Sequence, residues 1–383
     1  MIQISQSQPP ETDASSADLL EKSLLDLRSS DADLRLAAFD SLRGFGNSTI
    51  REAYQQYRQT TPDVGWETDC LERLVVEQPY PPIECDRCIC TVISPGYEAM
   101  LEAMLDTLVS YGQSPEARIV VFAIDGSFEA LTHRSEITPI RCRSIERPSA
   151  AVKGALYSAA RFIKSNYFVT LEVDMLIVGS LQPLWAALEV THSGALMGAR
   201  HTSLARRHSL KTTLSSEELR PDGLEFLTGN SSMDCPFWFN GGLIAGDQKA
   251  LLSLDAEMRR LAPNSILWME GSSKPSFAYG DEFLLNLCIG LINNPVEIGT
   301  CLNQQVYNSN RKHWLQTRTT FDGLEFRQGG GHSRVLHFIS SARKTMWEVK
   351  AEIAAQTPEL LLPGADHTSQ AGVAVAQALD HLE

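Results

Sequence analysis

The stretch Tyr167–Trp185, YFVTLEVDMLIVGSLQPLW, constrains this chain more than any other. β-Favouring or apolar side chains run from Tyr167 to Leu171, followed by two carboxylates one residue apart, Glu172 and Asp174, and then by apolar Met175–Val178. A hydrophobic run of this kind bounded by Gly179 reads as a buried strand. In extended chain, side chains two apart point the same way, so Glu172 and Asp174 are expected to project together at the strand end. Two oxygen ligands on one side suit a hard divalent cation such as Mg²⁺ or Mn²⁺, itself a partner for a diphosphate. Acidic pairs also end strands in water, so the pair alone leaves both readings open.

Composition narrows the partners. The net charge is −14, with acids and bases interspersed. A duplex binder carries a basic face, so nucleic acid is not an expected partner. An anionic ligand would need a local basic lining or a metal. No apolar run reaches the length that spans a bilayer. The opening MIQISQSQPPETD has neither the basic nor the apolar region of a secretory signal, which points to a cytoplasmic chain. Its eight cysteines are then expected to be reduced. Cys85, Cys88 and Cys90 invite a zinc reading, but no second paired knuckle follows them; buried thiols at a strand start are the expectation.

Residues 1–16 are polar and read as disordered. Residues 17–80 read mainly as a small helical cap, with Leu19, Leu20, Leu24 and Leu27 at helical spacing. The pair LLDLRSSDADLRLAAFDSLRGFG looks like one HEAT-type unit, but it has no second copy, and a solenoid needs at least three. Pro-rich Glu77–Asp86 reads as a linker. Beyond it strands and helices alternate, the pattern of an α/β domain. Strands are expected at Ile89–Ile93, Arg118–Ile124, Tyr167–Leu171, Trp238–Ile244, Val296–Gly299 and Arg334–Phe338. Helices are expected at Tyr97–Tyr111, Ala150–Lys164, Gln248–Leu261 and Asp281–Leu291. Residues 348–383 read as a helix and a loose tail.

The order of five short segments, with a closing sixth, resembles the retaining nucleotide-sugar glycosyltransferases related to glycogenin and the bacterial lipopolysaccharide galactosyltransferases. These are CTVISPGYEAMLEAMLDTLVSYG, SAAVKGALYSAARF, the Glu172-Val173-Asp174 triplet, PFWFNGGLIAGD, YGDEFLLNLCI and VLHFISSARKTMW. The resemblance covers about Cys88 to Trp347. It implies a GT-A domain over 85–347, an α/β fold with a Rossmann-like mixed sheet and helices on both faces, preceded by the all-α N-terminal segment.

The resemblance also implies roles. Tyr97 would stack on the uracil and Ser94 would contact the nucleotide; packing of Tyr97 on its own helix is the alternative. Lys153 would touch the donor's phosphate or sugar, although a lone helical Lys is commonly solvated. Glu172, Asp174 and His337 would hold the metal, with an imidazole ligand favouring Mn²⁺ over Mg²⁺. Glu172 is one methylene longer than the family's acid. Asn240 would bond the sugar, with Gly241 and Gly242 allowing close approach; a glycine bulge in a core strand is the alternative. Asp281 would bind sugar hydroxyls. Glu282 stands where the family has Gln, facing the anomeric carbon, where a carboxylate could act as nucleophile or stabilise positive charge. Both acids also suit the N-terminus of the helix they open. Arg343 or Lys344 would neutralise the departing diphosphate.

The expected activity is hexosyl transfer from a nucleotide diphosphate sugar, UDP-linked by resemblance, to a sugar, lipid or protein acceptor that the sequence does not name. A sugar-nucleotide pyrophosphorylase would need a Gly-rich basic loop after the first strand, and SPGYEAM is not one. A degenerate transferase domain acting as a nucleotide-sugar-binding protein or scaffold is the rival reading. Arg200–Lys211, rich in basic and imidazole groups, reads either as a solvated loop or as a contact over the site.

Overall fold

The computed structural model describes residues 15–26, 74–77, 80, 82–126, 129–144, 156–201, 238–270, 280–299, 302–306, 317–320, 323–328 and 331–356, with a few single positions between 34 and 45. The elements run α1 (Ser16–Asp26), β1 (Leu74–Val76), β2 (Ile83–Ile93), α2 (Glu98–Tyr111), β3 (Arg118–Ile124), β4 (Ile137–Ser144), β5 (Ile163–Leu171), β6 (Met175–Ile177) and α3 (Gln182–Val190). Then come β7 (Leu196–Arg200), β8 (Phe239–Asp247), α4 (Gln248–Glu270), α5 (Gly280–Ile292), β9 (Pro295–Ile298) and β10 (Gln304–Val306). The described part closes with β11 (Thr317–Thr320), β12 (Gly323–Gln328), β13 (Gly331–His332), β14 (Val335–Phe338) and α6 (Met346–Gln356). Residues 156–162 are also helical.

Eight strands form the main sheet in the order β1-β4-β3-β2-β5-β8-β7-β9. From β4 to β5 all neighbours are parallel, while β8 is antiparallel to both β5 and β7. The chain therefore steps from β2 through β3 to β4 on one side, then restarts with β5 on the other. That reversal is a topological switch point, and crevices in open α/β sheets lie beyond the carboxyl ends of the strands there. Smaller sheets add β10-β14-β6 and β11-β12-β13.

Alternation along β2 separates the two faces. Cys88, Cys90 and Val92 pack with Leu251 and Leu254 of α4 and Leu284, Leu285 and Leu287 of α5. Ile89 and Ile93 pack with Leu101, Met104, Leu105 and Leu108 of α2 and Leu184 and Trp185 of α3. Helices thus cover both faces, the mixed α/β architecture that the resemblance implied. The Met100–Leu108 spacing gives α2 its apolar stripe, and Gly112 closes the helix through its N–H on the Leu108 carbonyl at 2.8 Å. Each such side chain removed from water contributes on the order of 1.5–3 kcal/mol. Leu20 and Leu24 of α1 join the first face's core.

Several expected boundaries move. The stretch read as a linker contains the first residues of strand β2, because Ile83↔Ile163 to Cys85↔Ser165 pairing extends the ladder backwards. Leu74–Val76, read within the helical cap, is an edge strand antiparallel to β4. The helix expected to reach Lys164 stops at residue 162, since Ile163 and Lys164 already pair with β2. Strands β4 and β7 and helix α3 had no strong periodic signal. Cys88 and Cys90 are buried, with Sγ atoms 3.5 Å apart, and Cys85 is half-buried. Among the described residues Glu172, Asp174 and His337 group as a metal-ligand set. The polar tails, 1–14 and 357–383, lie outside the described residues.

Candidate metal centre

The carboxyl ends of β2 and β5 lie side by side, with Thr91 opposite Leu171. Ser94 and Tyr97 follow the first, and Glu172 and Asp174 follow the second. Because β8 is antiparallel to β5, its beginning, Asn240 to Leu243, comes to the same end. Seven expected residues, Ser94, Tyr97, Glu172, Asp174, Asn240, Gly241 and Gly242, therefore come to one end of the sheet.

The acidic pair meets by a different route from strand alternation. Strand β5 ends at Leu171, and residues 173 and 174 form a turn. The backbone is pinned on both sides: Glu172 N–H donates to the Gly242 carbonyl at 3.0 Å, and Phe338 N–H donates to the Asp174 carbonyl at 2.9 Å. His337 comes from β14, which pairs with β6 rather than β5 and sets His337 opposite Met175.

His337 Nε2 lies 3.2 Å from a Glu172 oxygen and 3.3 Å from Asp174 Oδ1. Ligand atoms sharing a cation at bond lengths near 2.1 Å lie about 3 Å apart, so these spacings match the edges of one coordination shell. Asp174 is 2 % exposed. Its Oδ2 accepts from Arg343 Nε at 2.8 Å, while its Oδ1, also buried, meets no well-aligned donor and faces His337 Nε2 at 3.3 Å. A buried carboxylate oxygen needs a proton on that ring or a cation to offset its charge.

On the other edge of the ring, His337 Nδ1 is 3.0 Å from Asn240 Oδ1 and 3.1 Å from Asn303 Oδ1. Amide oxygens only accept, so Nδ1 carries the hydrogen and Nε2 faces the acids. The residues fit a divalent ion bound by two carboxylates and one imidazole. The ring also lies against β8: a Cβ on Gly242 would come within 2.4 Å of His337 Cε1 and 2.5 Å of Met175 Cε. Only glycine leaves room there. The sequence had offered Gly241 as well, and its carbonyl accepts from the Tyr157 hydroxyl at 3.2 Å.

Burial alone would depress the His337 imidazolium, but the Asp174 and Glu172 carboxylates more than offset it and raise its pKa to about 9. Burial would likewise raise Asp174, and the His337 and Arg343 charges instead hold it below the ordinary carboxylate range. With no ion bound, the imidazolium proton occupies the charge position that a cation would take.

Glu282 is buried and far from being a solvated helix-start acid. It accepts from Trp238 Nε1 at 2.5 Å and from Asn240 Nδ2 at 3.4 Å, and His201 Nε2 is 3.7 Å away. Asn286, one turn along α5, clamps the Phe239 backbone with its amide, accepting at 2.7 Å and donating at 3.0 Å. Ser94 is buried and Tyr97, half-buried, sits at the start of α2 against two core clusters. Lys344 follows Arg343 on the short turn Ser340–Thr345. Lys153, and residues 202–211 of the basic segment, lie outside the described residues, as does the side chain of Asp281 at the start of α5.

Trp238, His201, Asn286 and Asn303 belong to this cluster and were missed. Trp238 was findable, since it shares a strand face with Asn240 and Gly242. Asn303 had no local signal in CLNQQV.

No model of a protein family matches the chain, and no curated protein matches it in sequence. Among solved structures it is similar to the bifunctional glycosyltransferase WbbM, with TM-score 0.47 and 11% identity over 79% of this chain; it spans 53% of that protein's length. It is also similar to the galactosyltransferase LgtC in complex with donor and acceptor sugar analogues, with TM-score 0.42 and 14% identity, covering 70% of this chain and 95% of that one. For mouse xyloside xylosyltransferase 1 the TM-score is 0.42 and the identity 11%, over 68% and 99% of the two chains. No described helix is long and apolar enough to cross a membrane.

Proposed function

We propose that this chain transfers a sugar from a nucleotide diphosphate, UDP in the first instance, to an acceptor hydroxyl, with Mn²⁺ or Mg²⁺ bound by Glu172, Asp174 and His337 and with retention of anomeric configuration. The observation that carries this reading is the convergence of Glu172, the buried Asp174 Oδ1 and His337 Nε2 at the spacing of one coordination shell, at the sheet's switch point. Retention and the identity of the base come from the motif order alone. The ion, when held by these residues, would supply positive charge to offset what the diphosphate gains as the bond to the anomeric carbon breaks.

The chain's own groups supply the rest. Tyr97, at a helix N-terminus beside Ser94, offers an aromatic face to the base. Arg343, held on Asp174, sets a permanent positive charge beside the acids, and Lys344 and Lys153 are the further cations proposed for the leaving diphosphate. Asn240 and Asp281 are proposed for the sugar. Glu282, buried under Asn240, is proposed to stabilise positive charge at the anomeric carbon or to attack it. As the new glycosidic bond forms and the bond to the diphosphate breaks, the acceptor hydroxyl passes its proton to an oxygen of the departing diphosphate.

Calorimetry with UDP in the presence and absence of Mn²⁺ tests the reading, followed by mass spectrometry of slow UDP-sugar hydrolysis. Mn²⁺-dependent UDP binding with hydrolysis of one sugar supports it. The scaffold reading rests on the way His337 and Arg343 already offset both acids; binding without hydrolysis of any UDP-sugar would favour it.

A further inference from the structure

His337 reaches the acids from a strand distant in sequence, so something must orient its ring before any ion arrives. Two amide oxygens converge on Nδ1, from Asn240 at 3.0 Å and Asn303 at 3.1 Å. Asn240 Oδ1 is already shared, accepting from Gly242 N at 3.1 Å and from Asn303 Nδ2 at 2.8 Å. Asn303 is fully buried, and of its two amide ends one orients Asn240 while the other faces the imidazole. Its position immediately before β10, the parallel neighbour of β14 with Gln305 opposite His337, brings it there.

We propose that Asn303 is a positioning residue for the metal centre: together with Asn240 it fixes the imidazole with Nδ1 protonated and Nε2 aimed between Glu172 and Asp174, so that the Nε2 lone pair meets an ion once that nitrogen's proton has left. This rests on the metal-centre reading above. An imidazole free to flip or to exchange tautomers would present N–H instead of a lone pair to the ion for part of the time. Removal of such an outer partner commonly weakens metal affinity by about 10–100-fold. Asn303 touches neither donor nor acceptor in this account and acts only through His337.

The test is made on the full chain with Zn²⁺, a diamagnetic probe, using calorimetry and the ring-nitrogen NMR signals of ¹⁵N-histidine-labelled protein, with His337 assigned by His337→Gln. In the wild type the Zn²⁺-bound form should show His337 protonated at Nδ1. Asn303→Leu removes both amide groups and should weaken Zn²⁺ by at least about tenfold and broaden or shift the Nδ1–H signal. Asn303→Asp keeps an acceptor for Nδ1 and the side-chain shape but loses the donor to Asn240 Oδ1; it should keep the Nδ1–H signal and lose less affinity than Asn303→Leu. Wild-type Zn²⁺ binding with an unchanged Asn303→Leu would overturn the role of Asn303 alone. Equal losses in the two variants would overturn it too, since a purely structural residue would behave so. A wild-type chain that binds no metal would overturn the metal centre itself.

Discussion

Asp106 and Asp174 are each set beside two basic side chains, yet the two regions use that arrangement differently. Asp106, on α2 and about one-third exposed, has a donor for each oxygen: Arg134 Nη2 at 3.0 Å and Lys350 Nζ at 2.7 Å. It fastens α6 to α2 and nothing in it is left over. Asp174 is nearly sealed from solvent, has Arg343 on one oxygen, and turns the other toward His337 Nε2 at 3.3 Å with no well-aligned donor. A buried acceptor that loses its partner costs on the order of 1–3 kcal/mol. The clamp satisfies both oxygens with permanently charged side chains, while at the switch point one oxygen depends on a proton on His337 or on a metal ion in its place.

The sharpest way to break this contrast is to remove both acids in turn. Asp174→Ala should abolish measurable Mn²⁺-dependent UDP binding and lower turnover by about two orders of magnitude or more, while Asp106→Ala should leave both unchanged. Equal effects on binding would erase the distinction. Next in size, Glu282→Gln keeps volume and removes a buried charge; turnover should fall by about two orders of magnitude with melting nearly unmoved. Normal turnover would make Glu282 part of the Trp238–Asn240 scaffold only.

The third effect is pH-dependent. Nε2 faces Glu172 and Asp174, with Arg343 behind Asp174, and Nδ1 faces Asn240 and Asn303. Since the imidazolium pKa is raised to about 9, an ion must displace its proton. Metal affinity should therefore drop as pH falls below that value, by at most about tenfold per unit, with one proton released per ion bound. Calorimetry in buffers of different protonation enthalpy counts that proton. A flat affinity between about pH 6 and 8 would remove Nε2 from the ligands.

The smallest effect belongs to the clamp. Burial would raise the Asp106 carboxyl, and Lys350 and Arg134 instead hold it below the usual range. Because the folded value is the depressed one, its contribution is complete above the unfolded pKa near 3.9 and is lost as pH falls through the folded value. Asp106→Asn should cost about 1 kcal/mol near neutral pH, discounted for partial exposure, and progressively less in acid. Denaturant melts at two pH values would show it; a constant deficit would point to lost packing instead.

How much of this was legible in the sequence differs between the two levels. Strands β2, β3 and β5 announced themselves because parallel strands buried on both faces read as unbroken apolar runs. The five-residue β7 and the edge strand β1 are too short to show a period, and their pairing is decided by distant partners. Glu172, Asp174, Asn240 and His337 carried local motifs. Their meeting did not, since it depends on a turn after Leu171 and on β14 choosing β6. Asn303 was invisible because its significance lies wholly in which ring it reaches.

The pairing of β14 with β6 has a consequence for how the molecule assembles. His337 reaches Glu172 and Asp174 only through that pairing, and Arg343, which follows it, lies 169 residues from Asp174 in sequence, so the proposed coordination shell does not exist until β14 has docked. An ion that binds only the docked state acts as a staple across that long loop, favouring closure by about 2.7 kcal/mol at a hundredfold excess over its dissociation constant. The melting temperature of the C-terminal strand and helix should then rise with ion concentration while local opening at the outer edge, near β1, stays the same. Seen this way, His337 serves the chain as a latch whose strength the surrounding solution sets.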